Sequence, residues 1–161
     1  MNLALVKTTY WWNKMLGAMT GSSSFASGPL AASKIGLGTA IITPGAATTY
    51  AQLTEATFVG YLESAAIVWT SLTNELDGSQ SAYAPSHLFL CTGASTTPAV
   101  ANAFVTDGVG TASVGNASTG IFGSVKIAPT INIQNPGDGL MALVQWNEGV
   151  VSLNSNIDVQ S

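Results

Sequence analysis

His87 is the only histidine of the chain, so a catalytic dyad or triad would have to be built around it. A histidine can activate a serine or cysteine nucleophile when an acid orients its ring. The candidate nucleophiles are Ser81, Ser86 and Cys91, and the candidate acid is Asp77. Closeness along the chain is no evidence for that geometry, and a histidine that bonds a backbone carbonyl or water at the start of a strand is far more common. We therefore predict no catalytic site and no enzymatic activity.

Metal and cofactor ligands are also scarce. One histidine and one cysteine cannot supply a transition-metal ligand set within one chain. The eight acidic residues are scattered, no calcium-loop pattern joins them, and we expect them to be solvated turn residues. The closest carboxylate pairs, Glu55 with Glu63 and Glu75 with Asp77, have nothing around them that indicates a glycosidase. We predict neither a metal nor a cofactor.

The aromatic cluster near the N-terminus points to an interface. Two adjacent tryptophans on a short helix cannot both face inward, so one of them is expected to anchor a contact with a partner. The interface candidates are Tyr10, Trp11, Trp12 and Met15. A sugar-stacking platform ranks second, and a membrane anchor ranks last because such a helix normally carries Lys or Arg on its polar face.

Charge is unusually rare in this sequence. Charged residues are 7% of the chain, against roughly a quarter in typical soluble domains. The chain has no Arg, four Lys and a formal net charge of −4, which excludes binding to a nucleic-acid backbone. Apolar runs end well before the ~20 residues of a membrane-spanning helix, and no signal peptide is indicated. A surface with so few charges is suited to being covered by other protein.

The positions of these residues depend on a mostly β chain of 161 residues, a length that fits one domain. A helix over Tyr10–Met19, capped by Thr8 or Thr9, is predicted before a Ser/Gly/Ala-rich arm. We assign residues 1–33 to this helix and arm, and residues 34–149 to a β domain. Residues 150–161 form either a last strand or an arm laid on a partner.

Short apolar runs between turn signals predict the strands of the β domain. A one-turn helix capped by Thr54 is expected within Tyr50–Phe58. Pro85 must lie at an edge or at the start of its strand, and Cys91 is expected to be a buried small hydrophobe. The fold class is mainly β, a small β-barrel or β-sandwich with a short N-terminal helix and an extended arm. The predicted strands are Ile35–Ile42, Tyr61–Leu72, Ala82–Thr92, Ala101–Val105, Gly120–Ile133 and Leu140–Trp146, with a turn at Asp77-Gly78.

The stretch Leu53-Thr54-Glu55-Ala56-Thr57-Phe58-Val59-Gly60-Tyr61 resembles a pattern of small tailed-bacteriophage virion proteins of the capsid decoration or cement type. In those proteins a Leu-Thr-Glu stretch and a Gly-Tyr pair precede a strand that ends in Trp, here Trp69. The order of elements over residues 35–149 is similar, and Asp138-Gly139-Leu140 stands where those proteins have a Gly-Asp-Gly-Leu turn.

The resemblance implies a non-enzymatic structural protein on the outer capsid surface of a virion. Its implied partner is the major capsid protein, and its implied state is a homo-oligomer, a trimer. No nucleic acid and no membrane is implied. The alternative is a tail or fibre-associated module that recognises host surface carbohydrate through exposed aromatic residues and polar loops such as Ser95-Thr96-Thr97.

Overall fold

The computed structural model describes residues 2–11, 34–64, 67–68, 70–73, 80–106, 120–148 and 156–160. Within these residues the chain forms ten strands, one short helix at Tyr50–Leu53 and a helical start at residues 9–11. No described helix has the length and apolar character needed to cross a bilayer. The strands are β1 (Asn2–Ala4), β2 (Val6–Lys7), β3 (Lys34–Gly38), β4 (Thr70–Thr73), β5 (Gln80–Tyr83), β6 (His87–Leu90), β7 (Val100–Thr106), β8 (Ile121–Ile131), β9 (Gly139–Glu148) and β10 (Asn156–Gln160).

Two antiparallel sheets form a β-sandwich. The larger sheet has the order β1-β10-β9-β5-β4, and β6 also pairs with β9, while the smaller sheet has the order β2-β8-β7-β3. Their facing sides share one apolar core, to which β9 contributes Leu140 and Val144 and β7 contributes Ala103 and Val105. The predicted mainly β class is confirmed, and of the two alternatives the architecture is the sandwich, not a closed barrel.

A second apolar layer covers the outer side of the smaller sheet. In β3, Ile35 and Leu37 face the core, whereas a side chain on Gly36 or Gly38 would collide with this layer. A Cβ on Gly36 would lie 2.4 Å from Cε2 of Phe104, and one on Gly38 would lie 2.6 Å from the carbonyl oxygen of Leu53. The glycines of β3 thus let the short helix approach the backbone of the sheet.

The first residues of the chain belong to both sheets, which the sequence did not predict. β1 pairs with β10 in the larger sheet, and β2 pairs with β8 in the smaller one. Leu5, between the two strands, is buried and lies over Gly123, where a Cβ would come within 2.8 Å of the leucine side chain. Part of the segment assigned to a helix and arm therefore closes one side of the sandwich.

The long strand predicted for Tyr61–Leu72 is wrong over residues 61–64, which form no strand. Their side chains bond to the edge of β3 instead, and a regular strand begins only at Thr70. The cap of the short helix also differs from the prediction, since Thr54 ends it in a left-handed conformation (φ 49°). Its first turn is closed by Gln52, whose Oε1 accepts the N–H of Thr49 at 2.9 Å.

The strand predicted for Ile35–Ile42 ends early, at Gly38, and the remaining strands lie close to their predicted positions. Pro85 divides the predicted strand Ala82–Thr92 into β5 and β6, which pair with opposite halves of β9. The C-terminal tail is a strand of this chain's own sheet at residues 156–160. The predicted helix beyond Trp11, the arm at residues 21–32, and the turn Asp77-Gly78 lie outside the described residues.

Candidate functional site

His87 and Cys91, the two residues considered for catalysis, make packing contacts and hydrogen bonds within the fold. His87 is the first residue of β6; its Nε2 lies 3.3 Å from the carbonyl oxygen of Leu62, and its ring packs edge-on against Phe89. The thiol of Cys91 is buried and donates to the carbonyl oxygen of Gly93 at 2.9 Å. Both residues lie as the sequence predicted, the histidine at a strand start beside a carbonyl and the cysteine in the core.

Glu55 is the acidic residue that departs most from expectation, because it is buried instead of solvated. Its carboxylate accepts hydrogen bonds from the hydroxyls of Tyr50 and Tyr61, the latter at 3.0 Å. Burial, together with the neighbouring carboxylate of Glu55, raises the pKa of Tyr61 well above its usual range. The tyrosine is therefore a permanent hydrogen-bond donor, and the cluster is built to hold structure.

The same cluster closes the open edge of β3. The hydroxyl of Tyr61 accepts the N–H of Leu37 at 3.0 Å, and the hydroxyl of Ser64 accepts the N–H of Ile35 at 2.8 Å. Farther along the edge, the N–H of Ala56 donates to the carbonyl oxygen of Leu37 at 2.8 Å. Residues 55–64 thus take the place of a neighbouring strand along β3.

The predicted interface residues fall into two groups. Trp11 is 2% exposed and packs edge-on against Phe122. Its backbone N–H donates to the hydroxyl of Thr8 at 3.3 Å, so Thr8 caps the helical start as expected. Tyr10 is partly buried against the same phenylalanine. Trp12 and Met15 lie outside the described residues, and the interface role of all four stays a prediction.

A small cleft lies between the helical start and the short helix. It has a volume of about 340 Å³, and the residues that line it carry no charge. Tyr10 and Tyr50 contribute aromatic walls, and Thr48 and Thr49 contribute hydroxyls. Gly120 also lines the cleft. A Cβ at this position would lie 2.2 Å from the ring of Tyr10, so only glycine fits against that ring.

The outer side of the larger sheet carries a different kind of surface. Leu88 and Leu90 of β6 and Met141 and Leu143 of β9 point away from the core and are 56%, 41%, 38% and 36% exposed. Leu88 pairs with Met141 in register, so the four side chains form one continuous apolar patch. We call this patch and the hollow within it the β6–β9 groove.

One hollow of the β6–β9 groove lies beside Gly139. That hollow has a volume of about 430 Å³ and is lined by Leu88, Leu90, Gly137, Gly139, Met141 and Gln160. A Cβ on Gly139 would lie 3.4 Å from Cδ1 of Leu88 and 3.6 Å from Cδ1 of Leu90, so the missing side chain leaves room between two leucines. A smaller hollow of about 110 Å³ adjoins it along Met141 and Gln160.

A tight turn fixes one end of the groove. The carboxylate of Asp138 accepts the backbone N–H groups of Gln134 at 2.9 Å and Asn135 at 2.8 Å. These two bonds lower the pKa of the Asp138 carboxyl below its ordinary value, and the bond from the N–H of Asn135 has the larger effect. Gly137 takes a left-handed conformation (φ 95°), which glycine adopts without strain.

The groove offers apolar contact and no reactive group, so its chemistry is that of binding. The sequence prediction missed it, although a signal is present in strands β6 and β9. Leu88-Phe89-Leu90 and Leu140-Met141-Ala142-Leu143-Val144 are apolar at every position, whereas a strand with one face in water alternates. Such runs predict that both faces of a strand pack against other protein. In the structure the core packs against the inner face of β6 and β9, and the outer face carries the groove.

Metal chemistry finds no support among the described side chains, where no three of His, Cys, Asp and Glu come together. Comparisons of the chain with protein-family models, curated proteins and solved structures give no match.

Proposed function

We propose that this chain is a structural virion protein of a tailed bacteriophage, a capsid decoration or cement protein that binds the major capsid protein and stabilises the shell. The observation that carries the proposal is the β6–β9 groove, an apolar patch on the outer face of a sheet. Apolar side chains that are gathered into one surface patch often form a contact site in a folded protein. The proposed role is one of attachment, without catalysis.

The scarcity of charge supports attachment over a broad surface. Twelve charged residues are spread over 161 positions, so a flat contact with a shell would bury few ions. Burying an ion without a partner costs roughly several kcal/mol of desolvation free energy. A surface of Ser, Thr, Ala and Gly avoids that cost at every position of a repeating lattice.

The resemblance of residues 53–61 to capsid decoration proteins adds the partner and the place. Under the proposal the protein lies on the outer capsid surface in many copies, as a homotrimer. Its sandwich forms the body. Trp11 packs in the core of this chain, so under the proposal the contacts to neighbouring subunits come from the other interface candidates, Tyr10, Trp12 and Met15.

Cryo-electron microscopy of intact particles tests the proposal directly. We expect density for the sandwich at regular positions over the icosahedral shell, with its apolar outer face toward the major capsid protein. Particles assembled without this chain serve as the control and should lack that density and break at lower temperature. Absence of the chain from purified particles would overturn the proposal.

A second candidate function is the tail or fibre-associated module that recognises host surface carbohydrate. The cleft between Tyr10 and Tyr50 favours it, because aromatic walls and hydroxyls without charge suit a neutral sugar. Density confined to the tail, together with chemical-shift changes at Gly120 and Ile121 on titration with neutral oligosaccharides, would select this function over the first.

A further inference from the structure

We propose that the β6–β9 groove receives an uncharged, extended segment of the shell subunit, and that an apolar side chain of this segment fills the hollow beside Gly139. This inference rests on the proposed function and specifies its contact. The argument uses the shape of the hollow, its charge and its size.

The shape favours an inserted side chain. Leu88 and Leu90 stand on either side of a position where Gly139 has no Cβ, and Met141 closes the hollow along the strand. An apolar side chain placed there would contact three apolar neighbours at van der Waals distance. An aliphatic anchor in such a pocket is the usual core of a protein contact.

The larger hollow offers no counter-charge to an ionic group, while Asp158 lies opposite Leu143, outside the lining of that hollow. The six residues around the larger hollow are apolar, glycine or glutamine. The neighbouring Asp138 has its carboxylate bound by two backbone N–H groups of its own turn. A Lys, Arg, Asp or Glu inserted here would lose its water without gaining a counter-charge. The complementary segment is therefore uncharged.

The size of the patch argues against a second copy of this chain as the occupant. Four partly exposed side chains present on the order of a few hundred Å², whereas a stable two-body interface uses about 800 Å² on each partner. A contact of this size becomes strong when many copies bind a repeating surface and each bound copy is held at several points. A shell of identical subunits supplies that arrangement.

The experiment measures binding of the full-length chain to particles assembled without it. The variant Leu88→Lys introduces one charge into the groove at a side chain that is 56% exposed, so folding is little affected. Its matched control is Ile41→Lys, which adds the same charge at a side chain that is 77% exposed and distant from β6 in sequence. Co-sedimentation gives the affinity of each, and urea unfolding verifies that both variants fold.

We expect Leu88→Lys to weaken binding by about tenfold or more and Ile41→Lys by less than about twofold. Binding of the wild-type chain should change less than about twofold between 50 and 500 mM NaCl, because no charge pairs form in the groove. A Leu88→Lys variant that binds as tightly as wild type, or wild-type binding that falls steeply with salt, would overturn the inference while the decoration function stands.

Two other outcomes also decide the question. A wild-type chain that does not bind the particles removes the proposed function and this inference with it. A wild-type chain that sediments as a dimer, while Leu88→Lys sediments as a monomer, identifies a second copy as the occupant and overturns the inference.

Discussion

At the scale of single residues, the most informative group is Glu55 with its two tyrosines. A buried carboxylate is costly unless its oxygens accept hydrogen bonds, and here each oxygen has a tyrosine hydroxyl. Tyr61 serves twice, since its hydroxyl donates to Glu55 and accepts from Leu37. The loss of this one hydroxyl should therefore remove two hydrogen bonds, one to the carboxylate of Glu55 and one from the N–H of Leu37.

The substitution Tyr61→Phe tests that double role. We expect it to lower the free energy of unfolding by about 2 to 4 kcal/mol, since it removes two hydrogen bonds at a buried position, one of them to a charged group. Tyr50→Phe is the matched control, because its hydroxyl bonds to the same carboxylate and the bond between Tyr61 and the N–H of Leu37 stays in place. Urea denaturation measures both, and equal losses for the two variants would contradict the assignment of Tyr61 to the edge of β3.

At the scale of elements, β3 alternates large side chains with glycines. This alternation sets how closely the core and the outer apolar layer approach the smaller sheet. Ile35 and Leu37 fill the core, while Gly36 and Gly38 let Phe104 and the short helix lie against the strand. The pattern Ile-Gly-Leu-Gly reads as a strand in the sequence, but only the structure identifies what approaches the glycines.

Gly38→Ala should be strongly destabilising for this reason. Its Cβ would lie 2.6 Å from the backbone carbonyl oxygen of Leu53, which cannot move without shifting the short helix. We expect a loss of about 1 to 3 kcal/mol in the free energy of unfolding. Gly45→Ala is the control, since a Cβ there meets nothing within 4 Å, and it should change stability by less than about 0.5 kcal/mol. Thermal or urea unfolding of both variants checks the difference.

The elements also show what the sequence can and cannot predict. The longer strands, such as β7, β8 and β9, were predicted within a few residues. β1 and β2 were missed because three-residue and two-residue strands carry no periodicity. Residues 61–64 alternate as a strand would, yet their side-chain hydroxyls bond to β3 and replace the ladder.

The candidate site was less predictable than the fold. The sequence directed attention to His87, Trp11 and Trp12, which are rare residue types, whereas the groove is made of ordinary leucines and one methionine. Its existence depends on which strands are neighbours, and the pairing of β6 with the first half of β9 follows from the break at Pro85. Pairing of this kind is set by tertiary contacts, beyond the reach of local patterns.

At the scale of the whole molecule, the N-terminal residues join the two sheets. The chain leaves β1 in the larger sheet, buries Leu5, and enters β2 in the smaller sheet. A defect at this position should therefore weaken both sheets together and not one edge alone.

Leu5→Ala tests this joining role. We expect the free energy of unfolding to fall by roughly 2 to 5 kcal/mol, the usual cost of truncating a buried leucine. Unfolding should remain a single transition when followed by tryptophan fluorescence and by circular dichroism. Ile41→Ala, at a side chain that is 77% exposed, should leave stability nearly unchanged. Two separate transitions in Leu5→Ala would show that the sheets fold independently.

The pairing of β1 with β10 also orders events in time. Asn2 lies opposite Asp158, and Val6 lies opposite Ser124, so β1 and β2 pair with strands that are synthesised long after them. Contacts between residues so distant in sequence make folding slow, because a long loop must close before they form. The nascent chain therefore holds β1 unpaired until β10 has been synthesised. During that interval its apolar strands are open to other chains, and crowded synthesis of many copies is the condition under which this protein is most exposed to aggregation.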